Sequence, residues 1–232
     1  MSAALEHAWA LDPAEALALQ QQLAARVERS DRHAPFHTVT GVDVAYARDN
    51  DSLIAAAVTL DLATLSVIEQ AVVEDRAQFP YIPGLFSFRE LPPLAKALEQ
   101  LQHAPEVIVC DGHGYAHPRR FGLACHIGVL FDIPALGCGK TLLTGTARDP
   151  LPPARGSQAA LYDSDEIIGA ALRTQQDTRP VYVSVGHRLS LQSSCALVLR
   201  LCRDYRLPET TRMADQLVKR SLGAVQAASA AC

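Results

Sequence analysis

Between Thr38 and Val73 the chain reads as strand, turn, strand, turn, strand, and this pattern limits the fold more than any other feature. The runs Val39–Tyr46, Leu53–Leu60 and Leu65–Val73 are rich in β-branched residues. They are separated by Arg48-Asp49-Asn50-Asp51-Ser52 and by Asp61–Thr64, which are turn formers. Such a stretch is a three-stranded antiparallel meander. From Ser87 onward helices and strands alternate. The spacing predicts helices over 87–102, 121–131, 191–205 and 212–222, and strands over 107–111, 135–139, 167–172 and 181–185. A loop rich in Pro, Arg and Gly is expected over 144–158. Ahead of the meander, Asp12-Pro13 opens a helix expected over about 12–30, because Asp caps well and Pro suits the first turn. The Ala-rich end, about 224–232, is expected to fray. No linker or repeat interrupts the pattern, so residues 1–232 are expected to form one α/β domain, a mixed sheet flanked by helices.

Composition narrows the function. Of 232 residues 49% are hydrophobic and 20% charged, which supplies a core and argues against disorder. With a net charge of −4 there is no strongly cationic surface, so any nucleic-acid contact must use a local basic face. From Gly112 to Arg155 five Lys or Arg stand against two acids, a net of +3. Chance clustering on a solvated surface explains that equally well. The six cysteines, at 110, 125, 138, 195, 202 and 232, show no CxxC spacing and sit mostly in apolar runs, as reduced buried thiols do. No apolar run approaches the roughly 18 residues of a membrane span, and the N-terminus lacks a basic-apolar leader pattern. A cytoplasmic protein is expected.

Candidate chemistry gathers around the apolar run Val107–Cys110. It ends on Asp111, turns through Gly112 and Gly114, and delivers His113, His117, Arg119 and Arg120. In open α/β sheets ligands sit beyond the carboxyl ends of such strands. An acid there, followed by imidazoles and guanidiniums, suits a metal ion and an anionic substrate such as a phosphate. Asp111 could also simply cap the following loop. Asp43 interrupts an apolar strand, Val42-Asp43-Val44, and alternation points it away from both valines. A solvent-facing acid on an edge strand fits the same residues. Glu90 stands three residues after Ser87, the spacing of a capping box, so capping and catalysis both remain open. If Asp43, Glu90 and Asp111 meet, their hard oxygens prefer Mg²⁺ or Mn²⁺ to zinc. His117, stiffened by Pro118, could position water, donate a proton or bind phosphate. His126 reads as a core or packing residue, and His187 as a structural, hydrogen-bonding residue at a strand end.

Four blocks then stand in a telling order: Gly41-Val42-Asp43-Val44, Pro80–Glu90 (PYIPGLFSFRE), Asp111–Arg120 (DGHGYAHPRR) and Gly186-His187-Arg188. In sequence and spacing this resembles the endonuclease V family from about residue 12 to 220. The resemblance implies an RNase H-like fold and a metal-dependent DNA-repair nuclease. Its substrate would be deaminated adenine, hypoxanthine, in DNA or RNA, with hydrolysis of the second phosphodiester bond on the 3′ side to leave 3′-hydroxyl and 5′-phosphate ends. It also implies roles: Asp43 and Asp111 as metal ligands with Glu90 the third acid, and His117 assisting at the scissile phosphate. Tyr81 would be a wedge filling the gap of the displaced base, and Gly84, Phe86, Gly112 and Gly114 would line the base pocket. Lys140 would lie near the phosphate, and Asp215 near the metal. Another RNase H-like nuclease would use the same acids, but the Tyr81 loop favours lesion recognition. A non-catalytic binder of inosine-containing nucleic acid has no use for three clustered acids, and a small-molecule phosphatase leaves the wedge loop unexplained.

Overall fold

The computed structural model describes residues 3–5, 7–47 and 51–230. Arg48, Asp49 and Asn50 of the first expected turn, and Cys232, lie outside the described residues. In chain order the elements are α1 (Pro13–Ala24), β1 (Thr38–Tyr46), β2 (Ser52–Asp61), β3 (Val67–Arg76), α2 (Phe86–Glu99), β4 (Ile108–Cys110), α3 (Leu123–Phe131), β5 (Ala135–Gly139), β6 (Thr146–Ala147), β7 (Gln158–Asp163), β8 (Glu166–Leu172), β9 (Val181–His187), α4 (Leu191–Leu201) and α5 (Glu209–Ala230). Among the described residues the strands form one sheet in the order β3-β2-β1-β4-β5-β9-β8-β7-β6. The meander is present as β1, β2 and β3. β4 runs parallel to β1 and β5 parallel to β4, and the remaining pairs are antiparallel. This is the mixed α/β sheet that the pattern of elements predicts.

Alternation along the central strands decides which helix each residue meets. Val42, Ile108 and Cys110 pack with Leu91, Leu94 and Ile127 beneath α2 and α3. Val39, Val109 and Leu136 pack on the other face with Cys195, Val198 and Val218 of α4 and α5. At Gly41 the α5 side is so close that an added Cβ would stand 2.5 Å from the Thr210 carbonyl oxygen. Glycine there lets α5 lie against β1.

Several boundaries differ from the sequence pattern, each for a tertiary reason. α1 ends at Ala24 rather than near residue 30. Glu28 and Arg32 are drawn into backbone hydrogen bonds with Arg188, which an α-helix would not permit. α4 stops at Leu201 because the amide of Gln175 donates to the carbonyls of Cys202, Arg203 and Tyr205 and pulls them out of helical register. α5 runs on to Ala230, past the expected end at Leu222. Alanine is the strongest helix former, and no proline interrupts that segment. β6 falls inside the expected 144–158 loop, and β7 follows it where no element was expected. β7 forms by pairing with β8 across Ser164, which adopts positive φ at the turn.

Candidate active site

β1 lies between β2 and β4, so Asp43 is not on an edge strand. β4 pairs with β1 only as far as Val42 opposite Cys110. Asp43, inside β1, and Asp111, just past the carboxyl end of β4, are therefore the next residues along two adjacent parallel strands. Burial, then the charge of Asp111, pushes the Asp43 carboxyl up to about 7, while the Val44 N–H and Lys140 oppose the shift. Lys140 follows β5, and its Nζ lies 2.5 Å from Asp111 Oδ2. Asp215, on α5, is paired with Lys219 at 2.8 Å and adds its field to both Asp43 and Lys140.

Glu90 arrives from α2 and is 7% exposed. Burial, then the charge of Asp43, raises its carboxyl well above the usual range, and the Tyr46 hydroxyl donates to Oε1 at 3.3 Å. The capping-box reading of Glu90 does not hold. α2 begins at Phe86 with Leu85 in the cap position and no side-chain cap, so Ser87 is already inside the helix. Among the described residues no three His, Cys, Asp or Glu side chains are gathered tightly enough to grip an ion as they stand. The donor chemistry nonetheless suits one: Asp43, Glu90 and Asp111 present carboxyl oxygens whose charges oppose one another, and an ammonium group already pairs with Asp111.

Beside the acids opens a cavity of about 320 Å³, at the small end of ligand pockets. Asp111 and Gly112 form one part of its wall, Tyr81, Gly84 and Phe86 another, and His117 and Leu143 further parts. Tyr81 stands 68% exposed with its ring edge-on to Phe86 at 6.0 Å. Gly84 has φ +80°, which favours glycine.

A family model for endonuclease V matches residues 21–216. An endonuclease V from Roseiflexus castenholzii is 48% identical over 217 residues, covering 94% of this chain and 96% of its own. The crystal structure of the Streptomyces avermitilis endonuclease V superposes with a TM-score of 0.90 at 46% identity, covering 96% of this chain and 98% of that one. The chain belongs to the endonuclease V family. A more distant endonuclease V, from Ciona intestinalis and crystallised with a 23mer DNA containing an inosine followed by a ribo-adenosine, shares the fold. Its TM-score is 0.81 at 24% identity, over 91% of this chain and 97% of that one. The family comprises metal-dependent endonucleases.

Within this endonuclease V fold some expected residues take other places. Gly114 does not line the cavity. It lets the loop pass against β9, where an added Cβ would meet the Val185 carbonyl oxygen at 2.1 Å, and its N–H donates to Ser184 Oγ at 2.9 Å. Arg119 and Arg120 are both engaged within the chain. Arg119 donates to the Gly84 carbonyl at 2.6 Å and to Gln20 Oε1 at 2.5 Å, and Arg120 pairs with Asp163 and Glu166. His117 is 4% exposed, and its Nδ1 accepts from the Arg119 N–H at 3.1 Å, so the neutral ring carries its hydrogen on Nε2 beside the Gly84 carbonyl. Burial, then the Arg119 charge, lowers its pKa to about 4, so it is neutral at pH 7. His187 is structural, between the Glu28 N–H and Asp132.

Pattern reading missed Gln20, which looks like any residue of a Gln-rich helix. Buried at 0% exposure, it donates to the carbonyls of Gly84 and Phe121, both at 2.8 Å, and so ties α1 to the Tyr81 loop. Leu143 was missed too, although Leu142-Leu143 is an exposed apolar pair in a polar loop. Gln20→Ala strands the buried Phe121 carbonyl. It is expected to cost about 1–3 kcal/mol in urea denaturation and to speed amide exchange over residues 82–86. An unchanged exchange rate there would remove Gln20 as an anchor of the loop.

Proposed function

We propose that the chain takes a displaced hypoxanthine into this cavity and hydrolyses the second phosphodiester bond on its 3′ side, leaving 3′-hydroxyl and 5′-phosphate ends. One observation carries the reading: a single cavity has both Asp111 of the acid cluster and the exposed Tyr81 in its wall. That shared wall supports a reading in which recognition and cutting take place side by side.

Mg²⁺, or Mn²⁺ in its place, held by Asp43, Asp111 and Glu90 with Asp215 nearby, would offset charge on the phosphate and lower the pKa of a bound water. The residues of the chain do the rest. Lys140 stands at the same end of the site as a counter-charge for a phosphate oxygen. Neutral His117 would assist at the scissile phosphate by exchanging its contact with the Gly84 carbonyl for a phosphate oxygen, without adding charge. Tyr81, stiffened by Pro80 and Pro83, can stack where the extruded base lay, and that extrusion costs a few kcal/mol by order of magnitude. Gly84, Phe86 and Gly112 bring backbone against the base, and a pocket that hydrogen-bonds one purine edge rejects another strongly. The bond to be cut is a phosphodiester in both DNA and RNA, and the 2′-hydroxyl is what would separate them as substrates.

The test is cleavage of oligonucleotides carrying one inosine, as DNA and as RNA, with Mg²⁺. A cut one nucleotide beyond the lesion is expected, and inosine-independent cutting would point instead to a general RNase H-like nuclease. Tyr81→Ala should reduce the preference for inosine over adenosine about ten-fold, since base–aromatic stacking is worth about 1–3 kcal/mol. An unchanged preference would return Tyr81 to an ordinary loop residue.

A further inference from the structure

Ser87 lies in the cavity wall, 3% exposed, next to Phe86. Its hydroxyl is not free to choose a direction. Ser87 Oγ is 3.0 Å from Nδ1 of His126, and Nε2 of that ring is 3.0 Å from Nε2 of His7. His7 Nδ1 in turn lies 2.8 Å from the Ala8 carbonyl oxygen. A carbonyl can only accept, so His7 carries its hydrogen on Nδ1 and, as a neutral ring, offers a lone pair at Nε2. His126 must then donate from Nε2, which leaves its Nδ1 to accept. The single hydrogen of Ser87 is thereby committed to His126, and the hydroxyl can face the cavity only with its oxygen lone pairs. His126 is held in an aromatic shell of Phe88, Phe121, Trp9 and His7, and that burial pushes it well below the ordinary imidazole range and keeps it neutral.

We infer that Ser87 is a specificity-determining acceptor of the base cavity, that His126 and His7 are the positioning residues that fix its polarity, and that it takes a ring N–H of the displaced base. This rests on the hypoxanthine reading above and sharpens it. Hypoxanthine carries a hydrogen on N1 where adenine has a lone pair. An oxygen with lone pairs facing the cavity pairs with the first and repels the second.

The test is binding, in EDTA at about pH 8, of duplexes with a single inosine or a single adenosine at the same position, read by fluorescence anisotropy. Ser87→Ala is expected to lower the inosine-to-adenosine affinity ratio roughly five- to ten-fold, the worth of one neutral hydrogen bond. His7→Leu, which removes the acceptor for His126, should lower it in the same direction. His7→Gln, whose amide oxygen can accept from His126 Nε2, should keep the ratio within about two-fold of wild type. A melting scan of each variant shows that it is folded. An unchanged ratio in Ser87→Ala overturns the acceptor. An unchanged ratio in His7→Leu, or a His7→Gln that behaves like the leucine variant, overturns the relay. Wild-type protein that does not prefer inosine overturns the parent reading and this inference together. Preference in wild type with an unaltered ratio in Ser87→Ala overturns this inference alone.

Discussion

Asp43→Asn is expected to lower phosphodiester hydrolysis at least about a hundred-fold and yet to raise the melting temperature in EDTA at pH 8. The folded protein holds the Asp43 carboxyl near 7, against an ordinary 3.8, chiefly through burial and the nearby charge of Asp111. A carboxyl whose pKa rises on folding opposes folding once it is ionised. The penalty is complete above about pH 7, shrinks as the folded state takes up the proton, and vanishes below about pH 4, where the unfolded state binds the proton equally. Asparagine keeps the shape and removes the charge. The gain should therefore be a few kcal/mol at most, counting about 1.4 kcal/mol per pKa unit, and should fade on going from pH 8 to pH 4. Magnesium should raise the melting temperature of wild type more than that of the variant, because a ligand that binds only the folded state stabilises it. Calorimetry at pH 8 and pH 4, with and without Mg²⁺, reads all of this. A variant that melts lower than wild type at pH 8 would show that the carboxylate stabilises the fold. This acid cluster would be a case of function held at the expense of stability.

Gly114→Ala is the second large effect, and it falls on the fold. An added Cβ would lie 2.1 Å from the Val185 carbonyl oxygen and 2.8 Å from its carbon, both backbone atoms of β9. No rotamer relieves such a contact; the 112–117 loop has to lift from the sheet. That would break the hydrogen bonds from Gly114 N–H to Ser184 Oγ and from Tyr115 N–H to the Val185 carbonyl. A cost of about 3 kcal/mol or more is expected, or roughly 6–12 °C in melting temperature for a chain of this size. Cleavage should fall as well, since Asp111 and His117 stand at the two ends of that loop. A variant with wild-type melting and cleavage would mean that the loop and β9 are not closely packed.

The positions of Asp43 and Asp111 were legible in the residues themselves. Asp43 interrupts an apolar strand and Asp111 ends one, and alternation alone assigns each a face, because strand geometry has a fixed period. Glu90 was not legible. Ser87 and Glu90 have the spacing of a cap, and only the start of α2 at Phe86 removes that reading. The two arginines after Pro118 show the same limit. Their charge suggested phosphate, yet Arg119 is committed to Gly84 and Gln20, and Arg120 to Asp163 and Glu166. These partners are 35 to 99 residues away in sequence.

By itself, then, the sequence determined the meander, the faces of Asp43 and Asp111 and the stiff Tyr81 loop, because each depends on periodicity or on backbone preferences that neighbouring residues set. Tertiary structure decided which polar groups are spoken for. It turned Gly114 from a pocket residue into a packing one, joined Gln20 to the wedge loop, and placed Ser87, His126 and His7 in one hydrogen-bonded line. The physical reason is that a hydrogen bond or a close approach is set by which distant segments folding brings within about 3 Å, and no local pattern records that.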